Sequence, residues 1–546
     1  MKASRVKISA ISEKDRPFTE QARLFRKCLR NVRSFLRRFR IAVAFVLNSN
    51  QVQPSFRRSH HADIAAALRE DGHAVSVLDA AMAAPTQVTS EGRLQYLGLR
   101  PEQIAAAVEP DAEAVGISVL FSFTWPLVRR IVHCIRESRP ELLIIGGGEH
   151  FNGLPEHSLR EALLDYLVLG EGEETVRELF RALASGAAAE GIAGLAFLRN
   201  GDYVQTPPRA RIHDVDALPW PAWDLFDPKA YYKHGHVMGV NAGMAMPILA
   251  TRGCPYACTF CSNAEMWRRC WRARDPEKVA DEIEYYHRQY GAVSFPFHDL
   301  TAILRRDWML RFCKILDQRK LKISWQLPVG TRCEVVNGEV AAWLQKTGCH
   351  AITFAPESGS ERIRKLVGKR LKEPNLIRAV RASVRHRLAV SNFFVVGFPH
   401  DTAADMSQSV RLAFRLGLAG AHDIALSIFF PIPGTQIYRE LEASGRIILS
   451  DETLLAPIFS MDAVLDEKNN FCEHMSAAAI TRWKYAILLV FFMTQFMVRP
   501  WRPVQLLWNV LQDRETCRLD IFLNERKRRL LRRLGIFTRQ PGQNRI

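Results

Sequence analysis

Short apolar runs alternate with amphipathic segments along the second half of the chain. Between Pro276 and Tyr290, apolar side chains recur at Val279, Ile283 and Tyr286, which predicts a helix. The runs around it are short and end at turn residues, which predicts strands. The predicted strands are 293–297, 322–327, 351–354, 393–396 and 425–430. This alternation is typical of a parallel sheet with helices between its strands.

The first half of the chain repeats this alternation, with glycine-rich turns. The predicted strands are 41–47, 74–78, 114–120, 142–145 and 166–169, and the predicted helices are 62–69 and 128–137. This is a doubly wound α/β pattern, in which ligands bind beyond the carboxyl ends of the strands, where glycine lets the backbone approach closely. No GxGxxG follows the first strand, so a dinucleotide site is not indicated.

Three cysteines stand at CxxxCxxC spacing in a turn begun by Gly253 and Pro255: Cys254, Cys258 and Cys261. Such a turn lets three thiolates reach one iron–sulfur cubane and leaves the fourth iron without a protein ligand. A structural zinc site would want four ligands, commonly as two CxxC pairs, and no second pair stands nearby. Three unrelated loop cysteines are the remaining interpretation.

With Phe260 just before its third cysteine, this motif resembles that of the radical S-adenosylmethionine (SAM) superfamily. The resemblance implies a 4Fe–4S cluster held by Cys254, Cys258 and Cys261. In that family the open iron binds the amino and carboxylate groups of SAM and delivers the electron that cleaves it to a 5′-deoxyadenosyl radical. The resemblance also implies a partial (β/α)6 barrel with SAM contacts at the ends of successive strands.

The segments Glu-Ser-Gly-Ser, Gly-Phe-Pro and Pro-Gly-Thr follow the cysteines in the order that the family has them. The resemblance places them near the ribose or amino group, the methionine end and the adenine of SAM. An arginine follows the third strand in many relatives. The implied SAM contacts are Phe260, Asp299, Arg332, Glu357, Ser358, Gly397, Pro399, Pro433 and Gly434.

Placed before such a barrel, the first half is similar to the cobalamin-binding domain of the cobalamin-dependent radical SAM subgroup. Ser118-Val119-Leu120 matches the SxL element of these domains, and the DxHxxG element is missing. The resemblance implies cobalamin with its own base displaced and no histidine on cobalt. The implied contacts are Ser118, Leu120, Gly146, Gly147, Gly148, His150, Gly170 and Glu171. We expect His60 and His61 at the solvated start of a helix.

The sequence thus predicts an α/β protein with a Rossmann-like cobalamin-binding domain, a partial radical SAM barrel and a helical C-terminal region. The predicted units are a basic amphipathic extension (1–40), the first domain (41–200), an ordered linker (201–240), the barrel (241–455) and a helical basic region (456–546). The chain has 11 cysteines without a dense framework or a secretory signal, which indicates a reducing cytoplasm. Cys270 lies near the cysteine motif, which needs no fourth ligand.

Basic charge is confined to the two ends of the chain. Residues 1–40 carry a net charge of +10 and residues 499–546 one of +8, which together equal the formal +18 of the whole chain. The first segment interleaves arginine with apolar residues at helical spacing, as membrane-surface helices do. Residues 485–498 are an apolar run too short to span a bilayer. Instead of contacting a membrane, this run could belong to a helical domain that covers the barrel mouth. The expected partner is an anionic membrane, since no RNA-binding module is recognisable.

We therefore predict a peripheral enzyme on the cytoplasmic face of the cell membrane that C-methylates an unactivated carbon of a hydrophobic, lipid-like substrate. An electron donor such as flavodoxin or ferredoxin is an expected partner. The layout resembles hopanoid methylases and the anaerobic magnesium-protoporphyrin IX monomethyl ester cyclase family, so oxidative cyclisation or rearrangement is the first alternative. A non-catalytic membrane scaffold is the second, and the intact cysteine triad disfavours it.

Overall fold

The computed structural model describes residues 40–45, 58–91, 94–235, 239–460 and 465–533. The predicted amphipathic helix of the N-terminal extension, up to residue 39, lies outside them. The strands are β1 (Arg40–Phe45), β2 (Ala74–Asp79), β3 (Val88–Glu91), β4 (Leu94–Leu97), β5 (Ala114–Ser118), β6 (Leu143–Gly147), β7 (Tyr166–Val168), β8 (Leu195–Arg199), β9 (Asp202–Gln205), β10 (Thr251–Gly253), β11 (Trp271–Ala273), β12 (Ser294–Pro296), β13 (Ser324–Thr331), β14 (Cys349–Glu357), β15 (Ala389–Val396) and β16 (Asp423–Ile428).

Helices cover both sheets and form the C-terminal region. In the first half they are Arg58–Glu70, Ala80–Ala83, Pro101–Ala107, Trp125–Ser138, Glu149–Gly153, Pro155–Glu161, Glu173–Ser185 and Pro228–Lys233. In the barrel they are Asn263–Met266, Pro276–Tyr290, Arg306–Arg319, Gly338–Lys346, Glu361–Leu366, Glu373–Arg385, Ala403–Ala419 and Gln436–Ala443. The C-terminal ones are Asp451–Ser460, Ala477–Val498, Arg502–Leu511 and Arg518–Arg533.

The N-terminal domain is built on a seven-stranded sheet in the order β2-β1-β5-β6-β7-β8-β9. The first five strands of this order run parallel, and β8 and β9 add an antiparallel hairpin. Successive residues enter opposite hydrophobic clusters, as Ile144 and Ile145 do, because side chains alternate between the two faces of a strand. The doubly wound prediction is confirmed, and the sheet continues to Gln205, past the predicted domain boundary at residue 200.

The barrel contains five parallel strands in the order β12-β13-β14-β15-β16. Two isolated parallel bridges, Ala245 to Ser294 and Ile248 to Phe297, place residues 245–248 beside β12 as a sixth strand position. This confirms the partial barrel. The predicted strand 322–327 is too short, because the chain continues past Pro328 through a register shift between Leu327 and Thr331.

The C-terminal helices run from the carboxyl end of the barrel to its amino end, where Arg518 N donates to Asp423 Oδ2 at the first residue of β16 (2.9 Å). Helix Ala477–Val498 begins with Ile480 packed near Gly397, at the carboxyl end of β15. Near its other end, Gln495 Nε2 donates to the carbonyl oxygens of Ala421 (2.6 Å) and His422 (2.7 Å), which directly precede β16. The long helix thus carries the chain along the barrel wall to the amino ends of the strands, whereas the segment just before it lies at the barrel mouth, where Glu473 N donates to the oxygen of Pro399. The expectation that this region covers the barrel mouth therefore applies to that segment and not to the long helix.

Candidate functional site

The cysteine loop, residues 254–261, leaves strand β10 at the carboxyl end of the barrel. Gly253 has φ +82°, and a Cβ there would overlap the carbonyl oxygen of Cys270, so only glycine fits at the start of the loop. Inside the loop, Cys261 N donates to the oxygen of Cys258 at 3.1 Å. These constraints bring three cysteines onto one turn.

Burial raises the pKa of the Cys258 thiol, and raises that of Cys261 to about 12. A buried thiolate needs positive charge beside it, which iron supplies. In the described part of the chain, no three His, Cys, Asp or Glu side chains meet as the ligands of a single ion would. An iron–sulfur cubane binds each thiolate through a different iron, so the loop fits a cluster of that kind.

A buried ion pair lies beside the cysteine loop. Lys369 Nζ is 2.8 Å from Glu357 Oε1, and both charges act electrostatically on Cys258. Glu357 is a non-glycine residue with φ +62°, a strained conformation at the end of β14. Its neighbour Ser358 is fully buried, and its carbonyl oxygen accepts from Arg364 Nη1 at 2.7 Å. A paired carboxylate and ammonium at this place complement the amino and carboxylate groups of an amino-acid ligand.

Two further predicted SAM contacts border the loop. The Arg332 guanidinium lies over the ring of Tyr256, 4.1 Å from its centre, and Phe260 packs edge-on against Phe398, with ring centres 5.3 Å apart. Asp401 was not predicted from the sequence; its Oδ2 accepts from Gly397 N (2.8 Å) and Phe398 N (2.9 Å). Asp401 shapes the Gly-Phe-Pro turn, and burial raises its pKa to about 7.

Asp299 supports the cysteine loop from behind. Its Oδ1 accepts from Thr251 Oγ1 at 2.5 Å and its Oδ2 from Ala250 N at 3.3 Å, which ties it to β10. Burial raises its pKa to about 6. The contacts of Asp299 therefore hold the strand that leads into the loop.

Pro399, another predicted SAM contact, has its carbonyl oxygen at 2.8 Å from the backbone nitrogen of Glu473, which donates to it.

Pro433 and Gly434 lie at the contact between the barrel and the N-terminal domain. Gly434 has φ +80°, and a Cβ built on it would be 2.6 Å from the Cα of Gly153. A Cβ on Gly153 would in turn be 2.6 Å from the oxygen of Pro433. Two glycines thus let the Pro-Gly-Thr turn touch the first domain, a contact that a sequence pattern does not reveal.

A cavity between the two domains gathers most of the predicted cobalamin contacts. Its empty volume, including its opening to solvent, is about 1340 Å³. The predicted residues in its lining are Ser118, Leu120, Gly146, Gly147, Gly148, Gly170 and Glu171. At its inner end it reaches Ile41, Leu68 and Phe180, and on the barrel side it reaches Gly253 and Trp267. The cavity therefore runs from inside the first domain to the base of the cysteine loop.

Glycine gives this cavity its width. A Cβ built on Gly116 meets nothing within 4 Å, and one on Gly147 meets only the oxygen of Val168 at 3.9 Å. Both positions face the cavity. In contrast, a Cβ on Gly148, which has φ +107°, would be 2.7 Å from the oxygen of Val119. Gly147 thus keeps the cavity open, while Gly148 permits the turn after β6.

The structure changes the interpretation of three histidines. His150 does not line the cavity; it is buried, its ring centre is 4.9 Å from that of Trp125, and its Nε2 is 3.2 Å from Ser158 Oγ. It is a packing residue, because the short helix after Gly148 turns it into the domain. His60 and His61 were expected at a solvated helix start, but they line the cavity, because their helix, Arg58–Glu70, faces the barrel. Burial lowers the pKa of His60 to about 4.

Arg252 is a link between the domains that the sequence analysis missed. It directly precedes the Gly253 turn, and its Nη1 is 2.6 Å from Glu173 Oε1 and 3.5 Å from Glu171 Oε1. Its Nη2 is 3.4 Å from Asp63 Oδ2. Burial favours a raised pKa of Glu173, but the charge and hydrogen bond of Arg252, together with a backbone hydrogen bond, lower it. Three acidic side chains of the first domain thus converge on the strand that carries the cysteine loop.

Comparison with known proteins agrees with this arrangement. The family model "Radical SAM superfamily" matches residues 248–413, and "B12 binding domain" matches residues 62–180. The uncharacterized methyltransferase PH0819 of Pyrococcus horikoshii is 31% identical over 341 residues, which cover 62% of this chain and 71% of PH0819. The chain belongs to the cobalamin-dependent radical SAM family.

Other members of this family show its range of reactions. The anaerobic magnesium-protoporphyrin IX monomethyl ester cyclase of Synechocystis sp. is 28% identical, over 52% of this chain and 56% of its own length. The structure of the radical SAM methyltransferase TsrM from Kitasatospora setae, with cobalamin and a 4Fe–4S cluster bound, matches with a TM-score of 0.61. That match covers 76% of this chain and 80% of TsrM at 18% identity, and shows a shared fold.

Family membership defines the cofactors of this enzyme as a 4Fe–4S cluster, SAM and cobalamin. Its function is of the cobalamin-dependent radical SAM methyltransferase type. The cysteine loop suits the cluster, and the open glycine positions of the interdomain cavity suit a large flat cofactor. Which residues touch SAM and cobalamin stays a prediction.

Proposed function

We propose that this enzyme transfers a methyl group to an unactivated carbon of a hydrophobic, lipid-like substrate. The observation that carries the proposal is the continuous cavity from the glycine turn after β6 to the base of the cysteine loop. When bound, a cluster would supply the electron that cleaves SAM to a radical, and cobalamin would supply a methyl group. A substrate in this cavity would lie between the sites of the two reactions.

The chain's own residues would position these groups and exclude water. Cys254, Cys258 and Cys261 would hold the cluster, and the Glu357–Lys369 pair would orient SAM beside it through its charged amino-acid end. Gly116 and Gly147 would admit cobalamin. Arg252 and its acidic partners are buried, and burial strengthens the attraction between their charges. Their network would therefore fix the distance between the two cofactor sites.

The apolar character of the cavity favours a hydrophobic substrate. The barrel side of its lining includes Leu249, Met266, Trp267 and Leu300. Apolar lining with a few charged groups is typical of sites that bind apolar ligands. The cluster and SAM also require a reductant, for which flavodoxin or ferredoxin is our candidate, and we place the enzyme in the reducing cytoplasm at the membrane.

Oxidative cyclisation or rearrangement is a second candidate reaction. It is favoured by the similarity to the magnesium-protoporphyrin ester cyclase, which covers about half of this chain. The two reactions differ in the fate of the SAM methyl group, which reaches the product only in methylation.

The deciding experiment is anaerobic turnover of the reconstituted protein with a chemical reductant, hydroxocobalamin, methyl-deuterated SAM and a lipid extract. We expect deuterated methyl in an apolar product. Cys258→Ala should lose iron and SAM cleavage, and the matched Cys270→Ala should keep both. An altered but unlabelled product would support cyclisation or rearrangement. No SAM cleavage by the wild-type protein would support the non-catalytic scaffold.

A further inference from the structure

The C-terminal helices present a continuous series of exposed apolar side chains. On helix Ala477–Val498 these are Tyr485, Leu489, Met493 and Met497, each between 53% and 68% exposed. On helix Arg502–Leu511 and just before it they are Trp501, Val504, Leu507, Trp508 and Leu511, each between 55% and 69% exposed. We call these nine residues the apolar face. Single exposed apolar residues are ordinary, but a contiguous group of large ones marks an interaction site.

Helical geometry aligns the exposed residues of each helix. The four on the long helix are spaced four apart and lie along one side of it, and Val504, Leu507, Trp508 and Leu511 recur three or four apart on the next helix. The other side of the long helix is packed: Ile480, Ile487 and Phe491 are fully buried, and Thr494 contacts Gly417 of helix Ala403–Ala419. The exposure is therefore not a result of a loosely attached helix.

This packing also decides how the long helix would meet a membrane. Among the described residues, Ala477–Val498 is the one helix long and apolar enough to cross a bilayer by length and composition. However, it contains Arg482 and Lys484, and Gln495 donates to two backbone oxygens of the barrel. A helix fixed to the barrel wall along one side can enter a membrane only to the depth of its exposed side.

The charge around the apolar face is positive. Residues 474–512 contain no Asp or Glu. Of their four lysine and arginine residues, Arg482 is exposed and Arg499 half-buried, whereas Lys484 and Arg502 are buried. The helix that follows, Arg518–Arg533, holds seven Lys or Arg and two Asp or Glu. Asp513 and Glu515, just after the apolar face, pair with Lys527 and Arg528 of that helix, and its net charge stays positive. Large apolar side chains with tryptophan, next to a segment of net positive charge, match a bilayer surface with anionic headgroups.

We propose that the apolar face binds the surface of an anionic membrane, with its side chains in the headgroup region and the basic helix Arg518–Arg533 against the lipid phosphates. The barrel would then lie on the bilayer with the wall formed by helices Ala403–Ala419 and Ala477–Val498 toward it. This proposal concerns binding only and does not depend on the reaction that the enzyme catalyses.

The test is cosedimentation of the full-length protein with phosphatidylcholine vesicles, with and without phosphatidylglycerol, at low and high salt. We expect binding only to the anionic vesicles and partial release at high salt, because screening removes the electrostatic attraction but not the apolar insertion. The double variants Leu489→Ser/Met493→Ser and Trp501→Ser/Trp508→Ser should each weaken binding by about tenfold or more.

The matched control is Val88→Ser/Leu163→Ser, which removes two similarly exposed apolar side chains from the other domain. It should bind as the wild type does, and all variants should keep the wild-type circular dichroism and iron content. Wild-type-like binding of the apolar-face variants, or no binding of the wild type to anionic vesicles at low salt, would overturn the proposal. So would a wild-type dimer that these variants convert to a monomer, because the face would then join two copies.

Discussion

Burial decides at the level of single residues which candidate ligands are available. His150 follows the glycine turn after β6, where a cofactor contact was expected, but its ring stacks on Trp125 inside the first domain. Its Nδ1 has no hydrogen-bond partner among the described residues, and burial lowers its pKa to about 3. The folded protein therefore keeps this side chain neutral at pH values where an unfolded chain would protonate it.

We predict that His150 makes the first domain acid-sensitive. The unfolded chain takes up a proton near pH 6.5 and the folded one near pH 3, so stability falls as the pH drops from 6.5 toward 3. Each pH unit in this window lowers the free energy of unfolding by about 1.4 kcal/mol. Between pH 6.5 and 5, the free energy of unfolding of His150→Phe should therefore fall by about 2 kcal/mol less than that of the wild type, as measured by urea unfolding. Parallel profiles, or loss of hydroxocobalamin binding by the variant, would contradict this account.

Residue patterns predict side chains fixed by local rules and miss those fixed by distant partners. Gly253 and the three cysteines follow from a local turn, and they are recognisable in the sequence. Arg252 and Asp401 are as central to the site, but their partners lie on other elements: Arg252 contacts Asp63, 189 positions away. Buried charge pairs of this kind depend on tertiary packing, so one sequence does not reveal them.

At the scale of elements, the apolar alternation predicts the five parallel strands of the first sheet and the five strands β12 to β16 of the barrel, because parallel strands covered on both faces are continuously apolar. It misses the antiparallel hairpin of β8 and β9 at the edge of the first sheet. Their ends are less predictable, as Pro328 inside β13 shows. The location of the C-terminal helices also cannot be predicted from the local sequence. It is fixed by contacts such as Arg518 N to Asp423 Oδ2, at 2.9 Å, which no periodicity encodes.

The width of the interdomain cavity gives a prediction for strand β6. Leucine at Gly147 would project into the cavity without strain on its own strand, since a Cβ there has no close neighbour. Gly147→Leu should weaken hydroxocobalamin binding by at least about tenfold, because the side chain occupies the space of the cofactor. The measurement is cobalamin absorbance retained through gel filtration, with the thermal midpoint as a check on folding.

The matched control for this variant is Gly338→Leu. Gly338 begins a barrel helix, and a Cβ on it meets nothing within 4 Å, but it lies outside the cavity. This variant should bind cobalamin as the wild type does. Equal binding by both variants would mean that the cavity beside Gly147 is not where cobalamin binds.

At the scale of the whole molecule, the two domains are held together on both sides of the cavity. On one side Arg252 meets the acidic residues of the first domain, and on the other Gly153 touches the Pro433–Gly434 turn. The segment between the domains is tied to each of them, as Ile212 N donates to Glu171 Oε2 (2.9 Å) and Arg274 Nε is 3.2 Å from Asp216 Oδ1. Contacts between the domains and contacts of the segment that connects them thus hold the two domains together.

We predict that one methyl group at the Gly153 contact loosens this arrangement. The Cβ of Gly153→Ala would be 2.6 Å from the oxygen of Pro433, and both sides of the contact are backbone, which cannot move aside as a flexible side chain can. Such overpacking costs about 1–3 kcal/mol. The domains should separate more easily, so trypsin should cleave the segment 201–240 faster and the thermal midpoint should fall. Gly191→Ala, also in the first domain, adds the same methyl group in open space and should change neither. Equal cleavage rates for the two variants would show that the Gly153 contact does not hold the domains together.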